Sequence, residues 1–227
     1  MININWSYDR AIESAYIITV KGNEVSERMS QRCQQSCQQV SMPYKVWDAF
    51  NGTSGIIIPP VQCLDKSYMS WFKQLDHELS VTEVACALSH ISLWCHCIEI
   101  DKPIVILEHD TIVVKRLESH ELYNSIVYLG NIEQAKKNWP ILTTPTHATH
   151  GHNYHFICRA HAYAIDPQVA KNMVAHVLKM GICESLDMML RADLFNIVEF
   201  GVHAYDEADI SNTTITGRKK TINGNER

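Results

Sequence analysis

The chain has 227 residues, 46% of them hydrophobic and 20% charged, with a formal net charge of -5. That length suits one domain burying most of the surface its unfolded form exposes, and the composition is that of a globular protein rather than a disordered or fibrous one. Basic residues cluster only at Arg218, Lys219 and Lys220, so the chain lacks the Lys and Arg patches that displace counterions, which argues against broad nucleic-acid affinity.

Residues 1–10 mix Asn, Trp, Tyr and Asp without the positive flank and apolar stretch of a secretory signal. No later segment holds about 18 uninterrupted apolar residues, the length of a membrane span. The eight cysteines are scattered through apolar patterns in a chain large enough not to need disulfide staples. They are read as reduced thiols of a cytoplasmic protein.

Residues 15–20 form a short apolar, β-rich run closed by Lys21 and Gly22, the pattern of a buried strand feeding a turn. A polar helix is expected over 24–40, ended by Pro43, and a second strand over 44–50 running into the turn at Asn51 and Gly52. Residues 53–77, with Gly55, Pro59 and Pro60 and no clean period, read as a long loop. Ser80 with Glu83 is a capping box, and Val84, Ala87, Leu88, Ile91, Trp94, Cys95 and Ile98 keep helical spacing behind it. Pro103 separates that helix from the continuous apolar run 104–107, suited to a sheet centre covered on both faces, which stops at Glu108, His109 and Asp110.

Further strands are expected at 126–129, 156–158 and 162–165. The last ends in Asp166 and Pro167, an N-cap and first-turn proline opening a helix that closes at Gly181. Its expected buried face is Val169, Met173, Val174, Val177 and Leu178. A helix over 185–193 and a strand over 195–200 precede a polar tail. Strands alternating with helices predict an α/β sandwich with a mainly parallel sheet, as one domain over 1–217 with a loose end at 218–227.

In an open α/β sheet, ligands gather at the carboxyl ends of strands, and Glu108, His109 and Asp110 stand at such an end. In extended chain, Glu108 and Asp110 share one face and His109 points to the other. Two carboxylates on one side suit a hard divalent cation that also takes phosphate oxygens. The competing reading is ordinary polar closure of a strand.

The run Thr82-Glu83-Val84-Ala85-Cys86-Ala87-Leu88-Ser89-His90, then Trp94, then Lys102-Pro103-Ile104-Val105-Ile106-Leu107-Glu108-His109-Asp110 resembles the core signature of glycosyltransferase family 25, the lipo-oligosaccharide and collagen sugar transferases. Weaker echoes are Tyr16-Ile17-Ile18 with Ser26 and Arg28, the segment from Asp48 to Gly52, Ala162-Tyr163-Ala164-Ile165, Leu186-Asp187 and Asp209-Ile210. The family usually reads Glu-Asp-Asp where this chain has Glu108-His109-Asp110, so the middle carboxylate is lost.

The resemblance implies a GT-A-like fold and inverting transfer of a sugar from a uridine diphosphate donor, with Mn²⁺ or Mg²⁺ stabilising the leaving diphosphate. On it, Asp110 is the first metal ligand and Glu108 its partner or a contact to the donor sugar. His109 either points away or adds a nitrogen ligand that favours Mn²⁺. Thr19, Val20, Arg28 and Asp48 are placed to meet uracil, ribose or phosphate. Ser89 and His90 are placed to approach donor phosphates, or His90 is a hydrogen-bonded core residue. Asp187 is the candidate base that takes the acceptor hydroxyl proton, with helix-start electrostatics as the plain alternative. Glu83 is explained by the capping box.

His147, His150, His152, His155 and His161 lack the paired spacing of a structural zinc site and are read as bordering an acceptor pocket. Cys95, His96 and Cys97 diverge around a helix axis and cannot readily share one ion. Tyr68, Trp71 and Phe72 are read as packing the long loop. The expected partners are a nucleotide-sugar donor and a carbohydrate acceptor. The competing functions are a non-catalytic nucleotide-sugar-binding relative, a transferase for modified viral DNA bases, and a zinc-binding interaction protein.

Overall fold

The computed structural model describes residues 11–52, 79–120, 124–130, 160–182, 185–192, 194–199 and 201–206. Its elements are β1 (Ala15–Thr19), α1 (Glu24–Gln39), β2 (Tyr44–Asp48), α2 (Val81–Ile100), β3 (Ile104–Glu108), β4 (Thr111–Val113), β5 (Ile126–Tyr128), β6 (Ala162–Ile165), α3 (Pro167–Met180), α4 (Leu186–Met189), β7 (Ile197–Glu199) and β8 (Ala204–Asp206).

Six strands form one sheet in the order β2-β1-β3-β6-β5-β7. β1 runs parallel to β2 and β3, and β5 runs parallel to β7, while β6 lies antiparallel between β3 and β5. The sheet is therefore mainly parallel with one reversed strand, and the chain is of the expected α/β class.

Side-chain alternation sorts the strands into two apolar layers. Tyr16, Ile18, Ile104, Ile106, Tyr163 and Ile165 face one way and pack with α2 and α3. Ala15, Ile17, Val105, Leu107, Ala162 and Ala164 face the other way, against Cys33 and Cys37 of α1 and against Val113 and Ala204. This two-sided burial is why 104–107 is apolar without a break. Alternation also sends Glu108, two residues beyond Ile106, to the α2 side.

The helix signals have physical counterparts. Ser80 and Glu83 close the full capping box of α2. Asp166 accepts from Gln168 N and Val169 N, and its other oxygen accepts from Ser125 N, so one carboxylate caps α3 and fastens the start of β5. By length and a mean hydropathy of 1.3, α2 could cross a membrane, yet 61% of that window is buried within the fold. Its apolarity is that of a helix covered by the sheet on one side and α3 on another.

Several expectations need correction. Leu178 is 44% exposed and Val174 only partly buried, because α3 turns Pro167, Val169, Ala170, Met173 and Val177 inward. The helix expected over 185–193 is the single turn α4. β2 stops at Asp48, before the turn at Asn51. The antiparallel pair β4 and β8 carries too few residues to show a period, and the sequence reading missed it. The long loop at 53–77, the strand at 156–158 and the tail lie outside the described residues, as do His147, His150, His152 and His155.

Candidate active site at the carboxyl ends of β1, β2 and β3

Because β1, β2 and β3 are parallel, their carboxyl ends lie at one edge of the sheet, and the chain leaving each contributes to one cleft. Val20 follows β1, Ala49 to Gly52 follow β2, and Glu108, His109 and Asp110 close β3. The first half of α2 forms the facing wall with Thr82, Ala85, Cys86, Ser89 and His90. Gly52 is required where the two walls meet: a Cβ there would lie 2.8 Å from both Thr82 Cα and Val81 O.

The expected separation of His109 from its neighbours does not occur. The strand ends at Glu108 and the chain turns through His109 and Asp110 into β4, so strict alternation lapses and all three residues line the cleft. Asp110 is buried, at 7% exposure.

Glu108 is the centre of the local electrostatics. Its side chain is 29% exposed, and its Oε1 stands 3.4 Å from His90 Nε2 and 3.8 Å from Cys86 Sγ, whose thiol donates to it. Burial, then the charges of Asp187 and Asp206, push its carboxyl up to about 8. Burial pushes His90 down to about 3, opposed by Asp187, and raises the Cys86 thiol well above its usual value. At neutral pH the trio is therefore a thiol, a neutral imidazole and a largely protonated carboxyl.

Tyr163 holds His90 from behind. Its hydroxyl is 2.9 Å from His90 Nδ1, the two rings stack, and Trp94 Nε1 donates to the same hydroxyl at 2.9 Å.

The residues anticipated from sequence fall into three groups. Val20, Ser89, His90, Glu108 and Asp110 share the cleft. Asp187, whose Oδ1 accepts from Ala160 N at 3.0 Å, lies off the described lining but near enough to raise the Glu108 pKa.

Thr19, Arg28 and Asp48 are not part of the described lining of the cleft. Thr19 is turned into the fold, its hydroxyl donating to Ser30 Oγ at 2.7 Å. Arg28 is exposed on α1, and Asp48 borders a separate hollow with Lys21, Glu27 and Gln34. Strand exits point to an edge of the sheet, but pleat and helix rotation decide which side of it each residue meets. Ser89 is already engaged: it donates to Ala85 O and accepts from Phe50 N, tying the β2 exit to α2.

Sequence reasoning missed Asn23, Asn51 and Cys86 as cleft residues and Asp206 as a neighbour of Glu108. Cys86 carried a usable signal, one helical turn before His90. Asp206 carried none, since only the pairing of β8 with β4 brings it in.

Among solved structures, a galactosyltransferase, LgtC, in complex with donor and acceptor sugar analogues superposes with a TM-score of 0.46 at 9% identity, over 82% of this chain and 72% of that one. No curated protein matches the chain by sequence. The model of glycosyltransferase family 25 (LPS biosynthesis protein) matches residues 13–190, more than three quarters of the chain, from β1 through α4. The chain belongs to glycosyltransferase family 25 and is a glycosyltransferase.

Proposed function

We propose that the chain transfers a sugar from a uridine diphosphate sugar to a hydroxyl of a carbohydrate acceptor, with inversion at the anomeric carbon and a requirement for a divalent cation. The fold is then GT-A-like, and the site of action cytoplasmic. The observation that carries this reading is the convergence of three parallel strand exits, one of them Glu108 to Asp110, on a single cleft.

A cation fits this cleft. Its described lining includes Glu108 and Asp110 and no Lys or Arg, so a diphosphate bound there needs positive charge from elsewhere. Burial first, and then the nearby charges of Asp187 and Asp206, hold a proton on Glu108 at neutral pH, which a bound cation would displace. Asp110 and Glu108 would hold Mn²⁺ or Mg²⁺, which when bound offsets the charge developing on the leaving diphosphate.

The chain's own residues do the rest. Val20 and Asn51, which line the cleft at the exits of β1 and β2, meet the nucleoside of the donor. Ser89 fixes the β2 exit against α2, so the two walls hold their spacing. Asp187, held by Ala160 N, takes the proton of the acceptor hydroxyl.

In the test, purified protein is assayed with a panel of uridine diphosphate sugars, with and without Mn²⁺. Asp110→Asn is expected to lose about 10²–10³-fold in kcat with an unchanged unfolding midpoint, the scale of one lost transition-state charge contact. Full activity in that variant would remove the metal assignment. Asp187→Asn is expected to lower kcat and leave donor KM unchanged; a change confined to donor KM would remove Asp187 as the base.

A further inference from the structure

We propose that Cys86, His90 and Glu108 form a binding site for a zinc-class divalent cation, with three protein ligands and a fourth position open to the cleft. The site stands on donor geometry and does not depend on which sugar is transferred.

The three potential ligand atoms lie within 4.8 Å of one another, the one such cluster among the described residues. For a tetrahedral ion with Zn–N near 2.0 Å, Zn–O near 2.1 Å and Zn–S near 2.3 Å, the N···O edge is about 3.4 Å and the S···O edge about 3.6 Å. The corresponding separations here are 3.4 and 3.8 Å. The third edge, Cys86 Sγ to His90 Nε2, lies within 4.8 Å, against about 3.5 Å around such an ion. Binding thus draws these two side chains together on ligands carried by rigid elements: Cys86 and His90 one turn apart on α2, Glu108 at the end of the central strand β3.

His90 supplies an independent observation. Its side chain is 1% exposed, and Nε2 is buried without a hydrogen bond while facing Glu108 Oε1. Nδ1 is held by Tyr163, whose hydroxyl oxygen has lone pairs for both Trp94 Nε1 and, in the ligating tautomer, His90 Nδ1. A partner on the far nitrogen that fixes ring and tautomer is the usual support of a metal-bound histidine.

The donor set selects the ion. Sulfur and imidazole with one carboxylate favour Zn²⁺ over Mg²⁺ and Mn²⁺, which prefer oxygen. Three ligands and an open position match the pattern of catalytic rather than structural zinc. Glu108 belongs to this trio and to the proposed pair with Asp110, so the two kinds of ion compete for it.

The test titrates Co²⁺, a spectroscopic stand-in for Zn²⁺, into the full chain after treatment with a chelator. Expected are a near-ultraviolet thiolate-to-cobalt band and the intense visible bands of a tetrahedral site, persisting in excess Mg²⁺ and bleached by Zn²⁺. Cys86→Ser removes the thiolate band, His90→Gln weakens Co²⁺ binding at least about tenfold, and Cys33→Ser leaves both intact. In the unaltered protein, Zn²⁺ protects Cys86 from alkylation, read by mass spectrometry, which keeps the test decisive if a variant misfolds. A spectrum without the thiolate band, a band that survives Cys86→Ser in folded protein, or alkylation of Cys86 unaffected by Zn²⁺ overturns the proposal.

Discussion

Two helices of this protein carry a pair of metal-ligating side chains one turn apart, and the pairs have different fates. On α1, Cys33 and Cys37 are fully buried under the sheet among Ile17, Val105, Leu107 and Ala164. Each cysteine perturbs the other, burial adds to the rise of the Cys33 thiol, and no third ligand completes a cluster with them among the described residues. On α2, Cys86 and His90 meet the one carboxylate that β3 delivers to their side of the sheet. The same spacing gives a packed core in one case and a ligand cluster in the other. The difference lies in what the opposing strand presents.

The largest expected effect concerns the charge that β3 brings to α2. With the Glu108 carboxyl raised from 4.5 to about 8, the folded state keeps a proton that the unfolded state has released between those pH values. Stability therefore falls as pH rises through that window. His90, held at about 3 against 6.5, acts oppositely: stability is lost as pH falls from 6.5 toward 3. At about 1.4 kcal/mol per pKa unit, Glu108→Gln should be about 2–4 kcal/mol more favourable at pH 8 than at pH 4.5, relative to the unaltered protein. Urea unfolding in chelator across that range measures it. An unchanged alkaline limb in the variant would mean that Glu108 is not the buried acid.

A smaller effect sharpens the support behind the α2 pair. Tyr163→Phe deprives Trp94 Nε1 and His90 Nδ1 of their shared hydroxyl and is expected to cost about 1–3 kcal/mol, the penalty for buried polar groups left unsatisfied. A cost below about 0.5 kcal/mol, by the same unfolding assay, would show that water replaces the hydroxyl.

On the α1 side, Cys33→Ala should cost about 1 kcal/mol for lost packing and leave transfer unchanged. Reduced activity there would erase the contrast between the helices. Least affected should be Arg28→Ala, on the exposed face of α1: stability within about 0.5 kcal/mol and an unaltered donor KM. A raised donor KM would show that the donor extends beyond the cleft.

Much of the fold was legible because local rules and tertiary demands agree. The capping box at Ser80 and Glu83, the proline after Asp166 and the unbroken apolar run 104–107 each have one economical structural solution. Among the short elements, β5 and β7 fall inside the strands expected over 126–129 and 195–200, and α4 keeps one turn of the helix expected over 185–193. β4 and β8 were not legible: three residues each are too few for a period to emerge, and only their pairing across a long stretch of sequence stabilises them. Within the cleft, Glu108, Asp110, Val20, Ser89 and His90 were reachable as strand-exit or signature residues. Thr19 and Asp48 were not separable from Val20 by the same reasoning, since whether a residue at a strand end faces the cleft depends on the pleat and on how the chain leaves the sheet.

By itself the sequence determined the family, the order of the long elements and the placement of an acidic exit at the end of the central strand, because these follow from hydrophobic period, capping chemistry and a motif contiguous in the chain. Tertiary structure decided that His109 turns into the cleft, that burial together with Asp187 and Asp206 raises the proton affinity of Glu108, and that Cys86 and His90 stand within ligand distance of it. Those facts depend on the packing of α2 over the sheet and on the β4–β8 pairing, which join residues distant in the chain and leave no periodic trace in it.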